Sequence, residues 1–146
     1  MAEAARDGAV TEPKVAVRLL PAATAEPADL LAADGFVFAA PENLAALSGP
    51  MKDFFDRTYY PLLGRIEGRP YAVLICAGSD GDNAARQIAR IATGWRLRPI
   101  AVPIVVCTHA QTPEAIAAPK IIPPADRARC LELGTAFAVG MDAGIF

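Results

Sequence analysis

The chain has 146 residues, 53% of them hydrophobic, and its fourteen basic and sixteen acidic side chains leave a net charge of −2. That length fits one domain with a substantial core, and the absence of any basic run or helical stripe of Lys and Arg argues against nucleic acid as a partner. Residues 1–7 lack the apolar centre of a signal sequence, and the longest apolar run, 99–107, is too short and too rich in proline to span a bilayer, so a cytoplasmic protein with no membrane span is expected.

Apolar runs alternate with helical patterns, which predicts β-α-β units and a mostly parallel sheet. The first strand expected is 15–20, ending at Pro21, followed by a short helix over 27–33. A second strand, 36–40, stops at Pro41. Ser48 then stands as an N-cap, because Met51, Phe54, Phe55, Thr58, Tyr59 and Leu62 recur at helical spacing on one face. Opposite that face, Lys52 with Asp56 and Asp53 with Arg57 are four apart and suit solvent-exposed ion pairs. A third strand, 71–76, leads to a helix with Asp80 or Asp82 as cap, a buried stripe of Ala84, Ala85, Ile88, Ile91, Ala92 and Trp95, and Arg86, Gln87 and Arg90 facing outward. The fourth strand is 101–107, and Pro103 points to a sheet edge. Residues 108–123, with the lone His109, show no period and read as a long loop of the kind that often carries function. A last helix over 124–141 buries Leu133, Gly134, Phe137, Ala138 and Met141.

Cys76, Cys107 and Cys130 are odd in number and lack C-x-x-C spacing, which argues against a disulfide framework and against a zinc site. They read as small buried hydrophobes in a reducing compartment. In an open α/β sheet, ligands sit in the crevice outside the carboxyl ends of the strands. The turns beginning at Pro41 and at Ala77 are therefore the places to look for a site.

The stretch Gly35-Phe36-Val37-Phe38-Ala39-Ala40-Pro41-Glu42-Asn43, running into Ser48-Gly49-Pro50-Met51-Lys52-Asp53-Phe54-Phe55-Asp56-Arg57, resembles the segment after the third strand of flavodoxin-like NAD(P)H-dependent flavin and quinone reductases. Further resemblance lies in Cys76-Ala77-Gly78-Ser79-Asp80-Gly81, Gly94-Trp95, Ala110-Gln111-Thr112-Pro113-Glu114 and Glu132-Leu133-Gly134, so that together roughly residues 14–146 are covered. The resemblance implies a three-layer α/β sandwich with a parallel sheet, FMN as cofactor and NAD(P)H as co-substrate. It also implies a quinone or similar small acceptor and a homo-oligomer with the flavin near a subunit boundary. It places Pro41, Glu42, Asn43, Leu44 and Ala45 along the flavin ring, and Ala77, Gly78, Ser79 and Asp80 at the polar edge of the ring. The chain departs from the pattern at Leu44, where relatives often carry an aromatic, and at Ala45-Ala46, where glycine and a polar residue are common.

A flavodoxin-like sheet has strand order 2-1-3-4-5, and its cofactor phosphate rests on a Ser/Thr/Gly-rich loop between the first strand and the first helix. Here residues 2–9 resemble the end of that helix and 14–20 the second strand, leaving four strands visible and the usual first strand absent. Neither G-x-G-x-x-G nor G-x-x-x-x-G-K-[ST] occurs elsewhere. The expectation is a single domain, with 1–13 a remnant of the first helix and linker and 14–146 the core, impaired in FMN binding as numbered. A start assigned downstream of the true one is the simplest explanation, and a degenerate relative with a repaired sheet the other. Two alternative readings are a non-catalytic scaffold of the same fold and, from Ala77-Gly78-Ser79-Asp80-Gly81 with His109, a serine hydrolase using Ser79.

Overall fold

The computed structural model describes all residues, 1–146. In chain order the elements are α1 (Ala2–Ala9), α2 (Pro27–Leu31), β1 (Phe36–Asn43), β2 (Ala46–Leu47), α3 (Gly49–Leu62), β3 (Pro70–Ala77), α4 (Asp82–Gly94), β4 (Arg98–Pro99), β5 (Ile104–Cys107), α5 (Pro113–Ala117) and α6 (Pro124–Asp142). The sheet is organised around β3, whose run Tyr71-Ala72-Val73-Leu74-Ile75 is buried on both faces, as a central parallel strand requires. β1 pairs parallel to it from Phe36↔Tyr71 to Pro41↔Cys76, and β5 pairs parallel on the other side from Leu74↔Ile104 to Ala77↔Cys107. The two-residue β4 adds Pro70↔Arg98 and Tyr71↔Pro99 below β5, while β2 folds back antiparallel on the end of β1.

Strand alternation divides the core into two layers. Phe36, Phe38 and Ala40 of β1 with Tyr71, Val73, Ile75 and Ala77 of β3 meet α3 and α4 on one face. Leu74, Ile104 and Val106 meet Ala4, Ala5 and Cys130 of α1 and α6 on the other. The first layer is strongly aromatic: Phe55 lies edge-on to Phe38 at 5.2 Å between ring centroids and 5.5 Å from Trp95, which itself stacks on Tyr59 at 5.7 Å. The Trp95 indole N–H donates to the Tyr59 carbonyl at 3.0 Å, so the one polar atom of that side chain is satisfied inside the layer.

Three differences from the sequence-based expectations have clear causes. Residues 15–20 form no strand: after the Val15 N–H bond to the Glu12 carbonyl, the next residue to donate a backbone–backbone bond is Thr24, and Leu19 and Leu20 are exposed. In the order 2-1-3-4-5 this segment would pair only with a strand that the sheet does not contain, and β propensity without a ladder partner leaves extended chain. Surface ion pairs lie before and within it, Lys14–Asp142 at 3.0 Å and Arg18–Asp29 at 2.8 Å. The last long strand begins at Ile104 rather than residue 101, because Pro103 cannot donate to the ladder, and as expected of a proline-flanked strand it pairs on one side only. The 108–123 loop contains α5, capped at its start by the Thr112 hydroxyl, which accepts from the Ala115 N–H at 3.2 Å. At its end the Lys120 ammonium donates to the carbonyls of Ala115, Ile116 and Ala118.

The α3 ion pairs form as the spacing implies, Lys52–Asp56 at 2.6 Å and Arg57–Asp53 at 2.8 Å. Arg57 is more than a solvated charge, since its guanidinium also donates to the carbonyls of Ala25 and Ala22 and ties that loop to the helix. Ser48 is the N-cap residue of α3 without a side-chain cap, and Pro50, which has no N–H, stands in the helix's first turn. Beyond the sheet, α1 and α6 pack with their backbones nearly touching: a Cβ on Gly134 would fall 1.9 Å from the Ala5 carbonyl oxygen, and one on Gly8 2.0 Å from that of Leu131. The Thr135 hydroxyl closes the contact by donating to the Gly8 carbonyl at 3.1 Å. No helix is long and apolar enough to cross a membrane.

Gly134→Ala should therefore force α1 off α6. A loss of about 1–3 kcal/mol or more is expected from overpacking against rigid backbone, measured as a drop in the urea midpoint, whereas Ala→Gly at exposed Ala136 of the same helix should change it only by the helix-propensity difference of about 1 kcal/mol.

Candidate functional site

Because β1 and β3 run parallel and pair as far as Pro41↔Cys76, the turns that follow them open side by side at one edge of the sheet. The first is a β-hairpin, with Glu42↔Leu47 and Asn43↔Ala46 paired and Leu44 and Ala45 at its tip. Both tip residues are left-handed, with φ of 51° and 58°. Two consecutive positive φ angles give the hairpin turn that normally calls for Asn-Gly, and each non-glycine residue held there costs about 1–2 kcal/mol. The contacts that hold this turn come from α4: the Asn83 side-chain amide donates to the Ala45 carbonyl at 2.6 Å, and the Leu47 N–H donates to Gln87 Oε1 at 2.8 Å.

The second turn runs from Ala77 to Gly81. Gly81, at φ 88°, is the N-cap of α4, and a Cβ there would lie 2.5 Å from Val105 Cγ1, so both its conformation and its packing demand glycine. Its N–H donates to Glu42 Oε2 at 2.9 Å, which bolts the two turns together. Asp80 Oδ1 accepts from the Asp82 N–H at 3.1 Å, and the Thr108 N–H and hydroxyl both donate to the Ala77 carbonyl, at 2.9 and 3.1 Å. Glu42 Oε1, by contrast, is buried and has no hydrogen-bond partner. A buried acceptor left without a partner in this way costs about 1–3 kcal/mol, which the structure around it must offset.

All nine residues singled out from the sequence lie at this end of the sheet. Pro41, Asn43, Leu44 and Ala45 are exposed, Leu44 completely, and Glu42 is half-buried behind them. Gly78 is half-buried, and Ser79 and Asp80 are exposed. Ala77 is the buried last residue of β3, packed in the α4 layer with its carbonyl accepting from Thr108. Gln87 differs from expectation, since it was expected to face outward and is half-buried under the hairpin. Asn83 was not expected to matter, although its spacing of four from Gln87 puts both on one face of α4. Ser79 and His109 are both exposed, no hydrogen bond joins them, and His109 is held at φ 53°, so the nucleophile–base contact of a serine hydrolase is not formed.

Two hollows flank the turns. One of about 210 Å³ lies on the α1 face between Met1, Ala2, Ala39, Pro41, Cys76 and Ile122. The other, about 360 Å³, lies behind the hairpin among Leu47, Lys52, Gln87, Arg90 and Ile91. Burial pushes the Cys76 thiol above its ordinary value, and the Cys130 thiol likewise. A raised thiol pKa means less thiolate at neutral pH. The half-buried Cys76 should accordingly alkylate more slowly than a free cysteine at pH 7, with a rate that goes on rising beyond the pH at which a free thiol levels off. Mass spectrometry of timed maleimide labelling checks this.

An FMN ring suits these groups: an apolar hairpin tip for its face, and backbone N–H groups and a hydroxyl in the 78–80 turn for its carbonyl edge. The family model described as NADPH-dependent FMN reductase matches residues 13–112, a span that holds every strand and both turns. No curated protein matches the chain in sequence. Among solved structures, a flavodoxin from the domain Archaea superposes with a TM-score of 0.74 at 17% identity, covering 96% of this chain and 87% of that one. The flavodoxin, WrbA-like protein from Agrobacterium tumefaciens gives 0.70 at 17% identity, over 94% of this chain and 84% of that one. An NADPH-quinone reductase from P. pentosaceus gives 0.60 at 16% identity, over 94% and 88%. At such identities the superpositions establish a flavodoxin-like fold, and the sequence match establishes descent: the chain belongs to the NADPH-dependent FMN reductase family.

Proposed function

We propose that this chain is an FMN-binding oxidoreductase that passes reducing equivalents from NAD(P)H to quinones or similar small acceptors. The observation that carries the reading is the Glu42–Gly81 hydrogen bond, which sets the exposed β1–β2 hairpin beside the 78–80 turn at one edge of the sheet. When bound, FMN supplies the hydride-accepting ring, and the protein's part is orientation and electronics. Pro41 and Leu44 form an apolar wall for the ring face. The backbone N–H groups of Gly78, Ser79 and Asp80, with the Ser79 hydroxyl, serve its polar edge, and Glu42 sets the hairpin beside that turn.

The ring side is the stronger half of the site. Residues 1–146 contain no Ser/Thr/Gly-rich turn of the phosphate-binding type, so the grip on the FMN phosphate is proposed to be weak. A homo-oligomer, in which the hairpin would stand close to a neighbouring subunit and cover the fully exposed Leu44, is part of the same reading.

Titration of flavin fluorescence with the purified chain tests this directly. FMN and riboflavin should both bind, with affinities within about tenfold of each other because a phosphate that gains few charge-assisted bonds adds little. NAD(P)H should then reduce a soluble quinone only when flavin is present. No binding of either flavin would leave the non-catalytic scaffold as the reading, and a large preference for FMN would refute the weak phosphate grip.

A further inference from the structure

We propose that Asn83 is a positioning residue that sets, from α4, where the β1–β2 hairpin stands. The proposal deepens the flavin reading and rests on it for one of its two measurements. Leu44-Ala45 is a turn sequence with no preference for two left-handed residues, so the hairpin needs a hold from outside itself. Asn83 supplies it at the strained residue: its Nδ2 donates to the Ala45 carbonyl at 2.6 Å. The orientation of the amide is imposed in turn, since Arg86 donates to Asn83 Oδ1 at 2.9 Å and so keeps the donor end toward the turn. Glu42 and Gln87 tie the hairpin's two strands, at Gly81 and Leu47, but neither bonds to the tip.

The consequence is the placement of Leu44. A leucine standing fully in solvent gains nothing from that position in the free protein. Held there by the Asn83 bond, it offers a fixed apolar surface on which a flat aromatic ring can lie without first reorganising the turn. Asn83 touches neither ring nor acceptor and acts only through Ala45.

The test compares Asn83→Ala, Asn83→Asp and Ala45→Gly, singly and Asn83→Ala with Ala45→Gly, by amide hydrogen exchange across residues 44–47 in the flavin-free protein and by flavin affinity. Asn83→Ala should speed exchange in the hairpin and weaken flavin binding roughly three- to tenfold, the worth of one hydrogen bond. Asn83→Asp should weaken it further by setting an acceptor against the Ala45 carbonyl. Adding Ala45→Gly should restore both readouts, because glycine is at ease at positive φ. A general loss of stability on removing Asn83 would lower the melting temperature and would not be rescued by glycine at 45. That outcome, or hairpin exchange unchanged in Asn83→Ala, overturns the proposal. Should the unaltered protein bind no flavin, the flavin reading falls while hairpin exchange still decides the role of Asn83.

Discussion

The candidate site depends on one hydrogen bond, from the Gly81 N–H to Glu42 Oε2. Parallel pairing of β1 and β3 brings their ends together, but it leaves the turns beyond them free to diverge. Glu42 spans that gap with a charge-assisted bond to the first residue of the next helix cap, where the helix dipole also favours a carboxylate. The rest of the arrangement follows. Gly81 must be left-handed to present its N–H, α4 starts where Gly81 ends, and α4 then carries Asn83 and Gln87 into reach of the hairpin.

The site is built on a buried platform and exposed at its rim. Behind it lies the aromatic layer of Phe38, Phe55, Tyr59 and Trp95, and the opposite face is sealed by the glycine-to-backbone contact of α1 and α6. The rim residues Leu44, Ser79 and Asp80 are exposed, and their positions come from hydrogen bonds to neighbouring elements rather than from burial. Binding sites commonly divide this way, with packing providing position and loops providing chemistry.

Helices and the central strands were legible because their signals are local and strong. The stripe from Met51 to Leu62 and that from Ala84 to Trp95 are buried where a 3.6-residue period places them, apart from the half-buried Tyr59 and Ile91, and the apolar run of β3 reads as a strand covered on both sides. The segment 15–20 misled for the complementary reason. Its valines and leucines have strand propensity, but a strand exists only as one side of a ladder, and no neighbour pairs with it in this sheet. The two-residue β2 and β4 were invisible, since no pattern can be read in two residues.

By itself, then, the sequence determined the alternation of strands and helices, the two turns at which a ligand would sit, and the family resemblance carried by their motifs. Only the tertiary structure decided how those turns are held. That Leu44 and Ala45 form a left-handed tip contradicts their own preferences and follows from an amide on another helix. That Gln87 faces the hairpin rather than solvent, and that one oxygen of Glu42 is bonded while the other is open, depend on partners some forty positions away in the chain. Local propensity is a property of neighbouring residues, whereas the hydrogen bonds that shape this site join segments that become neighbours only when the sheet has formed.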